Sequence, residues 1–560
     1  MLIGIDVGGT HTDGILFSLS EGQIELIQKF KTPTTPDILA GLLHTLEELL
    51  QHRQDRVVSR IAISSTLAAN ALIQGTAPPV ALLLFPGPGA IPDYAFFGQE
   101  NLTLKGYVDH RGRVTQEMDE AQLLSVVKET TELGFQHFAV VSKFSCRNPV
   151  LEKRAGALIK KINPEARVTE GHRLSGSLNF PRRAATACLN SAVMDIQVNL
   201  ASQVEKALEC HGLDLPVYLL KADGGTFPLT ESLKRPIHSI QSGQSASIMG
   251  ALSFAGYENG IVIDIGGTTT DLGFLSEGVP LFLPHGIKWQ EYQTLVPGFL
   301  TTSLACGGDS QVHLNDGQLQ IGPERLGPPA AFGGTEPTPT DALVVLGKLA
   351  AGAGGIDSAY RALQPIASRV FAGDVDACAA AVLNKFTEKV AAAVQETRNL
   401  LAGQPVFTIH ELLEEFRWDN RHLWAMGGPA KALLSYLAEQ LKLEASLLPH
   451  HEVANALGAA LARPTAELTV RVDTDRGKLH LIEQGVERPV SQGCKLTGED
   501  ARNLALEAGM EYLKPGHRDD LTITEQEGFN VVRGFTTRGQ IHQLKVQIKP
   551  ASLLWEVTSR

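Results

Sequence analysis

The sequence predicts an α/β protein of two lobes with a small α+β unit at its C-terminal end. Three observations carry this. Strand-like and helix-like segments alternate along most of the chain. The stretch "IGIDVGGTHTDGILF", from Ile3 to Phe17, returns as "IVIDIGGTTTDLGFL", from Ile261 to Leu275. A third glycine turn, in "WAMGGPAKALLSYL", again leads from an apolar run into a helical one.

The elements follow in order. After the opening strand, "GQIELIQKFKT" reads as a hairpin partner. "TPDILAGLLHTLEELLQH" has helical periodicity, with Thr35 or Asp37 as its N-cap. "RIAISST", "PVALLLF" and "HFAVVSKF" are buried strands, with a helix "DEAQLLSVVKETTELG" before the last. The alternation predicts mixed sheet order over residues 1–180. One long helical stretch runs from about residue 180, followed by the strand "PVYLLKADGG" and the helix "GQSASIMGALSFAG". Residues 322–339 are rich in Gly and Pro and read as a loop, and 341–403 are Ala-rich and helical. The strand "ASLLP" and the helix "EVANALGAALA" close the second half, and Pro464 marks a boundary. The tail predicts strands at 467–483 and 529–549 around a helix near 498–513. The units are therefore 1–180, 181–463 and 464–560.

Aligned without a gap, the repeat sets Asp6 on Asp264, Gly8-Gly9-Thr10 on Gly266-Gly267-Thr268, Thr12 on Thr270 and Asp13 on Asp271. A Gly-Gly-Thr turn presents N–H groups and a hydroxyl to an anion. One copy alone is equally well a plain hairpin turn. Two copies with their flanking carboxylates intact predict two loops clamping a polyphosphate. A strand-end Asp suits Mg²⁺, which keeps much of its water. No Gly-Lys-Ser/Thr follows either turn, so neither is a Walker loop. At the third turn, Gly427 and Gly428 let a nucleotide lie against backbone, and Pro429 fits the first helical position.

Composition narrows the class. The net charge of -12 over 560 residues, with no Lys/Arg block, argues against nucleic acid and anionic membrane as partners. The six cysteines, Cys146, Cys188, Cys210, Cys306, Cys378 and Cys494, are scattered and read as reduced thiols, mostly core fillers. The chain starts directly in a strand, and no apolar run approaches the roughly 20 residues of a spanning helix. A cytoplasmic protein is expected.

The order of phosphate turn, connecting helix, second phosphate turn, adenosine turn and second connecting helix resembles the actin–hexokinase ATPase superfamily. More narrowly, the chain resembles the hydantoinase A/oxoprolinase family. The N-terminal third is similar through "GIDVGGTHTDGIL", "KTPTTPDILAGLL", "STLAANALIQG", "YVDHRGRVTQEMD" and "FSCRNPVLEKR". The centre is similar through "KADGGTF", "RPIHSIQSGQSASIMGAL", "DIGGTTTDLGFL", "CGGDSQV" and "PTPTDALVVLGKL". The resemblance covers about residues 1–463. It implies a two-lobed actin/hexokinase-like (ribonuclease H-like) ATPase fold with ATP and Mg²⁺ in the interlobe cleft. It also implies a larger hydantoinase B-like partner subunit, and the sequence leaves homo-oligomer formation open.

On that resemblance, Asp6 and Asp264 hold the metal through waters. The backbones of Gly8, Gly9, Gly266 and Gly267 and the hydroxyls of Thr10, Thr268 and Thr269 hold the phosphates, with His11 and Thr12 completing the first turn. Asp271 or Asp13 orients the nucleophile. The plainer role for Asp13 is that of a turn or hydrogen-bonding carboxylate. Asp223, Thr66 and Asn70 are candidate substrate contacts. Lys143, Arg182, Arg183 and Lys221 are candidate anion partners, with surface salt pairing as the plainer role.

Two motifs depart from the family pattern. Its His-Gly-Thr-Thr-x-Ala-Thr-Asn-Ala run reads "ISSTLAANA" here: Ile63 stands for the His, Ser64 for the Gly, Ser65 for one Thr and Ala69 for another. The Gly-rich "GAGGGS" loop reads "ACGGDSQ", placing Asp309 where Gly is usual. That carboxylate is a candidate catalytic group, metal ligand or helix cap. The expected function is ATP-dependent hydrolysis of a cyclic amide or related small molecule through phosphorylation of its oxygen. The alternatives are a small-molecule kinase on the same fold and an ATP-switched activator.

Overall fold

The computed structural model describes residues 1–560 except 36, 54–55, 90–99, 256–257, 277, 284–285, 403–420, 491–495, 534 and 555–560. Cys494 lies outside the described residues. The strand Leu2–Val7 sits centrally in the first sheet. It pairs antiparallel with His11–Ser20, which pairs with Gln23–Pro33. On its other side it pairs parallel with Arg60–Ser65. The sheet continues through Val217–Leu220 and Thr226–Pro228. A cut at residue 180 thus separates two strands of this sheet from the other four.

Alternation decides what covers each face. Ile3, Ile5 and Val7 pack with Leu42, Leu46 and Leu49 of helix Ile38–Gln51 and with Leu200 and Val204 of helix Met194–Cys210. Asp37 is the N-cap of the former helix, accepting from the Ala40 N–H at 3.1 Å. The opposite face takes Ala456, Leu457 and Ala460 of helix Ala454–Leu461 against Leu2, Ile15 and Phe17. A Cβ on Gly4 would stand 2.0 Å from the Ala456 carbonyl oxygen, so helix and strand meet backbone to backbone.

Residues 80–170 do not extend this sheet. Val80–Phe85, Glu100–Thr103, His137–Ser142 and Arg167–Glu170 form a separate four-stranded parallel sheet with its own core. The mixed order expected over 1–180 holds within the first sheet, while these four strands form a second, all-parallel sheet. The predicted long helix after 180 is also divided at Val193, into Phe180–Ala192 and Met194–Cys210.

The third sheet repeats the plan of the first. Gly260–Ile265 pairs antiparallel with Thr270–Ser276 and parallel with His422–Met426, which pairs with Glu444–Leu447. Helices Pro339–Val345, Gly355–Val370 and Val375–Ala402 account for the Ala-rich region. Helix Ser242–Ala255 packs on helix Ala454–Leu461 between the two sheets. A Cβ on Gly458 would meet the Ala246 carbonyl oxygen at 2.1 Å, which is why the sequence there is so poor in large side chains.

The tail is a five-stranded antiparallel sheet backed by helix Gly498–Leu513. Thr497 and Asp500 close a capping box at that helix. Around Pro464 the chain is pinned rather than loose: Thr226 N–H donates to the Arg463 carbonyl and Thr465 N–H to the Thr226 carbonyl, each at 3.0 Å. No described helix is long and apolar enough to cross a membrane.

Candidate active site

Both Gly-Gly-Thr turns have the same closure. Gly8 N–H donates to the His11 carbonyl at 3.0 Å, and Gly266 N–H to the Thr269 carbonyl at 2.9 Å. Their tips meet: the Thr10 and Thr268 hydroxyls lie 3.1 Å apart. The registers are equivalent too, with Asp6 opposite Asp13 and Asp264 opposite Asp271. Local sequence thus dictates two identical hairpins, and the fold brings them face to face.

Asn455 ties the halves together. Its amide donates to Asp264 Oδ2 at 2.8 Å and to Asp6 Oδ2 at 3.4 Å. Ser64, opposite Asp6 on the neighbouring strand, donates to Asp6 Oδ1. Ser247, from helix Ser242–Ala255, donates to Asp264 Oδ2 at 2.8 Å. Burial raises the Asp6 carboxyl to about 7, and the charges of Asp13 and Asp264 push the same way. Burial likewise lifts Asp271 to about 6, with Asp264 adding to it and Ser303 and Gln244 opposing it. Asp13 is also raised by burial, but Lys31, 2.9 Å away, opposes the shift. His11 is pushed down to about 4 by burial and by Lys31 and Arg325, so its ring is neutral at neutral pH.

The third turn lies beside the second. Gly427 has φ +98°, and a Cβ there would stand 2.2 Å from the Ile265 carbonyl oxygen and 2.9 Å from Asp264 Oδ1. Only glycine fits both demands. Pro429 is the N-cap of helix Ala430–Leu441, one place before the first helical position expected for it. The Cys306–Ser310 loop closes over the second turn, with Gly308 and Asp309 N–H groups donating to the Gly266 and Gly267 carbonyls at 2.9 and 2.7 Å. Asp309 does not cap the following helix, whose N-cap is Thr338. Its carboxylate faces Arg325 at 3.3 Å.

Other expected contacts fall elsewhere. The Thr12 side chain is fully buried, and its hydroxyl lies 3.5 Å from where a Gly41 Cβ would be, under the first helix. It belongs to the packing of that helix and not to a ligand surface. Asp223 is buried and held by Lys221 at 2.9 Å, the Gly225 N–H and Gln547 of the tail. Among the described contacts none joins it to the carboxylate group. Thr66 and Asn70 do lie at the first turn: Thr66 donates to the Val7 carbonyl at 2.9 Å, and Asn70 to Thr66 at 3.3 Å. Arg183 is neither surface nor cleft. It is 1 % exposed and donates to the Ser142, Lys143 and Ser177 carbonyls.

Sequence reasoning missed Asn455, Ser247, Gln244, Lys31 and Arg325. Asn455 left one signal: it is the only polar side chain in the helix "ANALGAAL". A lone amide in a helix built for close packing has to find a partner.

Two β-hairpin turns facing each other from duplicated sheets, with connecting helices packed between, define the two-lobed actin/hexokinase-like fold, here with a small C-terminal α+β unit. Comparison with known families makes the class specific. Residues 2–163 match the Hydantoinase/oxoprolinase N-terminal region and residues 183–468 match Hydantoinase/oxoprolinase. The chain belongs to the hydantoinase/oxoprolinase family of enzymes. Among curated relatives, caprolactamase subunit alpha of Pseudomonas jessenii is 28% identical over 82% of this chain and 69% of its own length. The acetophenone carboxylase gamma subunit of Aromatoleum aromaticum is 28% identical over 62% of this chain, which spans 53% of that relative. Two solved structures share the fold over nearly the whole chain. ATP-dependent caprolactamase from Pseudomonas jessenii has TM-score 0.69 at 22% identity, covering 97% of this chain and 87% of that one. Nucleotide-free acetone carboxylase has TM-score 0.68 at 17% identity, covering 98% and 87%.

Proposed function

We propose that the chain is the ATP-using subunit of an enzyme that opens a cyclic amide, or activates a related small molecule, by phosphorylating its oxygen. One observation carries the reading: Asp6 and Asp264, from different sheets, share the Asn455 amide directly beneath two turns that touch at Thr10 and Thr268. The names of the relatives, a caprolactamase and a ketone carboxylase subunit, support the same chemistry. A lactam oxygen and an enolate oxygen are both nucleophiles toward phosphorus: phosphorylation makes the lactam oxygen a leaving group, and it holds the enolate as an enol phosphate whose P–O cleavage frees a carbon nucleophile.

The carboxylates fit Mg²⁺. Burial and the charge of Asp264 raise the proton affinity of Asp6, Asp13 and Asp271, with Asp13 adding to it at Asp6, and a divalent cation relieves that repulsion as well as a proton does. Among the described residues no group of three His, Cys, Asp or Glu is disposed to hold an ion by itself. A magnesium that keeps most of its waters needs no such cage. Asp6 and Asp264 would hold it through those waters, and the ion would supply charge neutralisation at the β- and γ-phosphates.

The chain's own groups do the rest. Backbone N–H groups at Gly9 and Gly267 and the hydroxyls of Thr10, Thr268 and Thr269 bind phosphate oxygens; the Gly8 and Gly266 N–H groups, expected to join them, are spent on closing the two turns. Gly427 and Gly428 leave room for the nucleoside against backbone. Asp271, held by Gln244 at 3.3 Å and by Ser303, orients the nucleophile or accepts its proton. Asp13 is less suited, because Lys31 engages it. Thr66 and Asn70 contact substrate from the edge of the first turn.

The test is ATP hydrolysis by the chain over a panel of lactams, hydantoins and carboxylic acids, with and without a hydantoinase B-like subunit. Release of ADP, phosphate and an amino acid from a lactam is expected. A stable phosphorylated product would make it a kinase instead. Substrate-independent turnover with a bound protein partner would make it a switch.

A further inference from the structure

Asp309 is a carboxylate lying on a turn built for phosphate, which needs an explanation. Its Oδ2 stands 2.6 Å from where a Gly267 Cβ would be, a point itself 3.1 Å from Thr10 Oγ1. An anion there repels any phosphate the turns receive. A cation compensates it: Arg325 Nε and Nη2 reach the same oxygen at 3.4 and 3.3 Å. Both distances are long for a charge-assisted pair, which closes to about 2.7–2.9 Å when firmly made. The Arg325 side chain is 29% exposed and rides on a loop between Gly322 and Gly327. By contrast Lys31, the other cation beside the turns, is engaged by Asp13 at 2.9 Å. Arg325 also acts on the first turn, since its charge helps keep His11 unprotonated.

We propose that Arg325 is the cation that contacts the transferred phosphoryl group, and that Asp309 is a positioning residue holding it beside the second turn until nucleotide arrives. The inference rests on the nucleotide reading above. A γ-phosphate bound by Thr10 and Thr268 in place of their contact with each other competes with Asp309 for the guanidinium and offers more oxygens to its planar fork. In transfer, the attacking oxygen bonds to the γ-phosphorus as the bond to the bridging oxygen breaks, and the electron pair leaves on ADP. If water attacks, its proton passes to Asp271 or to the phosphate formed. Arg325 stays protonated throughout and neutralises charge on the equatorial oxygens.

Binding of MgADP, MgATP and MgADP–aluminium fluoride to the full chain, measured by calorimetry, tests this without requiring turnover. Arg325→Gln should weaken the aluminium fluoride complex by about 100-fold or more, leaving MgADP within about 3-fold. Asp309→Asn should raise the preference for MgATP over MgADP several-fold, because a competitor for the guanidinium is gone. A packing role for Asp309 would shift both nucleotides equally. Unchanged aluminium fluoride affinity in Arg325→Gln, with normal MgADP binding, overturns the proposal and leaves the nucleotide site standing. Failure of the wild-type chain to bind any of the three overturns both.

Discussion

The two hairpins have one backbone and two chemistries. In the first, the carboxylate at the far strand, Asp13, meets a lysine, and the one at the near strand, Asp6, meets a serine hydroxyl. In the second, Asp271 meets the neutral Gln244 and Ser303 among the described residues, while Asp264 takes Ser247 and the stronger share of Asn455. The second turn is covered by the Asp309 loop, which donates to its glycine carbonyls and brings a carboxylate, where the first is covered by Thr34, which donates to the Gly8 and Thr10 carbonyls and brings none. Duplication set the geometry, and the surrounding elements then divided the work. On the proposed reading, the first hairpin, with Asp13 paired to Lys31, anchors, and the second, whose Asp271 meets no lysine among the described residues, faces the reaction.

Removing the near carboxylates should hurt most. Asp264→Ala should abolish measurable binding of Mg-nucleotide, a loss of about 100-fold or more, with the fold intact by circular dichroism. The carboxylate is half-buried and bonded by two neutral donors, so its loss strands no charge. Unchanged ATP affinity in calorimetry would refute its assignment and with it the equivalence of the two hairpins.

The far carboxylates should then split the pair. Asp271→Asn should cut turnover by about 100-fold with MgATP affinity retained, as for a group that positions or deprotonates a nucleophile. Asp13→Asn should cost under about 10-fold in turnover, and should show chiefly as lower thermal stability because it leaves Lys31 unpaired. Equal losses in the two variants would mean that the lysine does not distinguish the hairpins.

That division shows what was legible in sequence. The repeat was, because a turn's conformation is set by its own glycines and the strand register follows from it. Gly8 to Thr10 and Gly266 to Thr268 form the two facing turns, Asp6 and Asp264 stand on the strands before them, and Gly427 lies against the second. The partners were not, because they arrive from far along the chain: Asn455 is 449 positions from Asp6, and Ser247 comes from a helix that reads as plain small-residue packing. Thr12 was misplaced for the converse reason. It belongs to the motif, yet alternation along the strand turns its side chain away from the cleft and under the first helix. The limits of the first sheet were hidden as well, since a strand's neighbours are chosen by topology and Val217–Leu220 returns after an inserted sheet.

The smallest expected effect is also the sharpest probe of the first hairpin. Asp6 protonates at about 7 in the folded chain, well above an ordinary carboxyl. On the proposed reading metal-bound nucleotide needs it ionised, so affinity should climb as pH rises through about 7 and level off above, with uptake releasing about half a proton at pH 7. The sign for stability is opposite. The native carboxyl holds a proton that the unfolded chain has already lost, so this group's contribution falls as pH rises from about 4 to 7, and its penalty is complete above that. The Ser64 hydroxyl favours the ionised form. Ser64→Ala should therefore move the affinity midpoint upward, by about half a unit or more, and leave the high-pH plateau nearly unchanged. Calorimetry in buffers of different ionisation enthalpy reads both the midpoint and the proton. A downward or absent shift would mean that Ser64 serves the strand pairing and not the carboxylate. The residue standing where this family usually has glycine would then have no part in tuning the anchor.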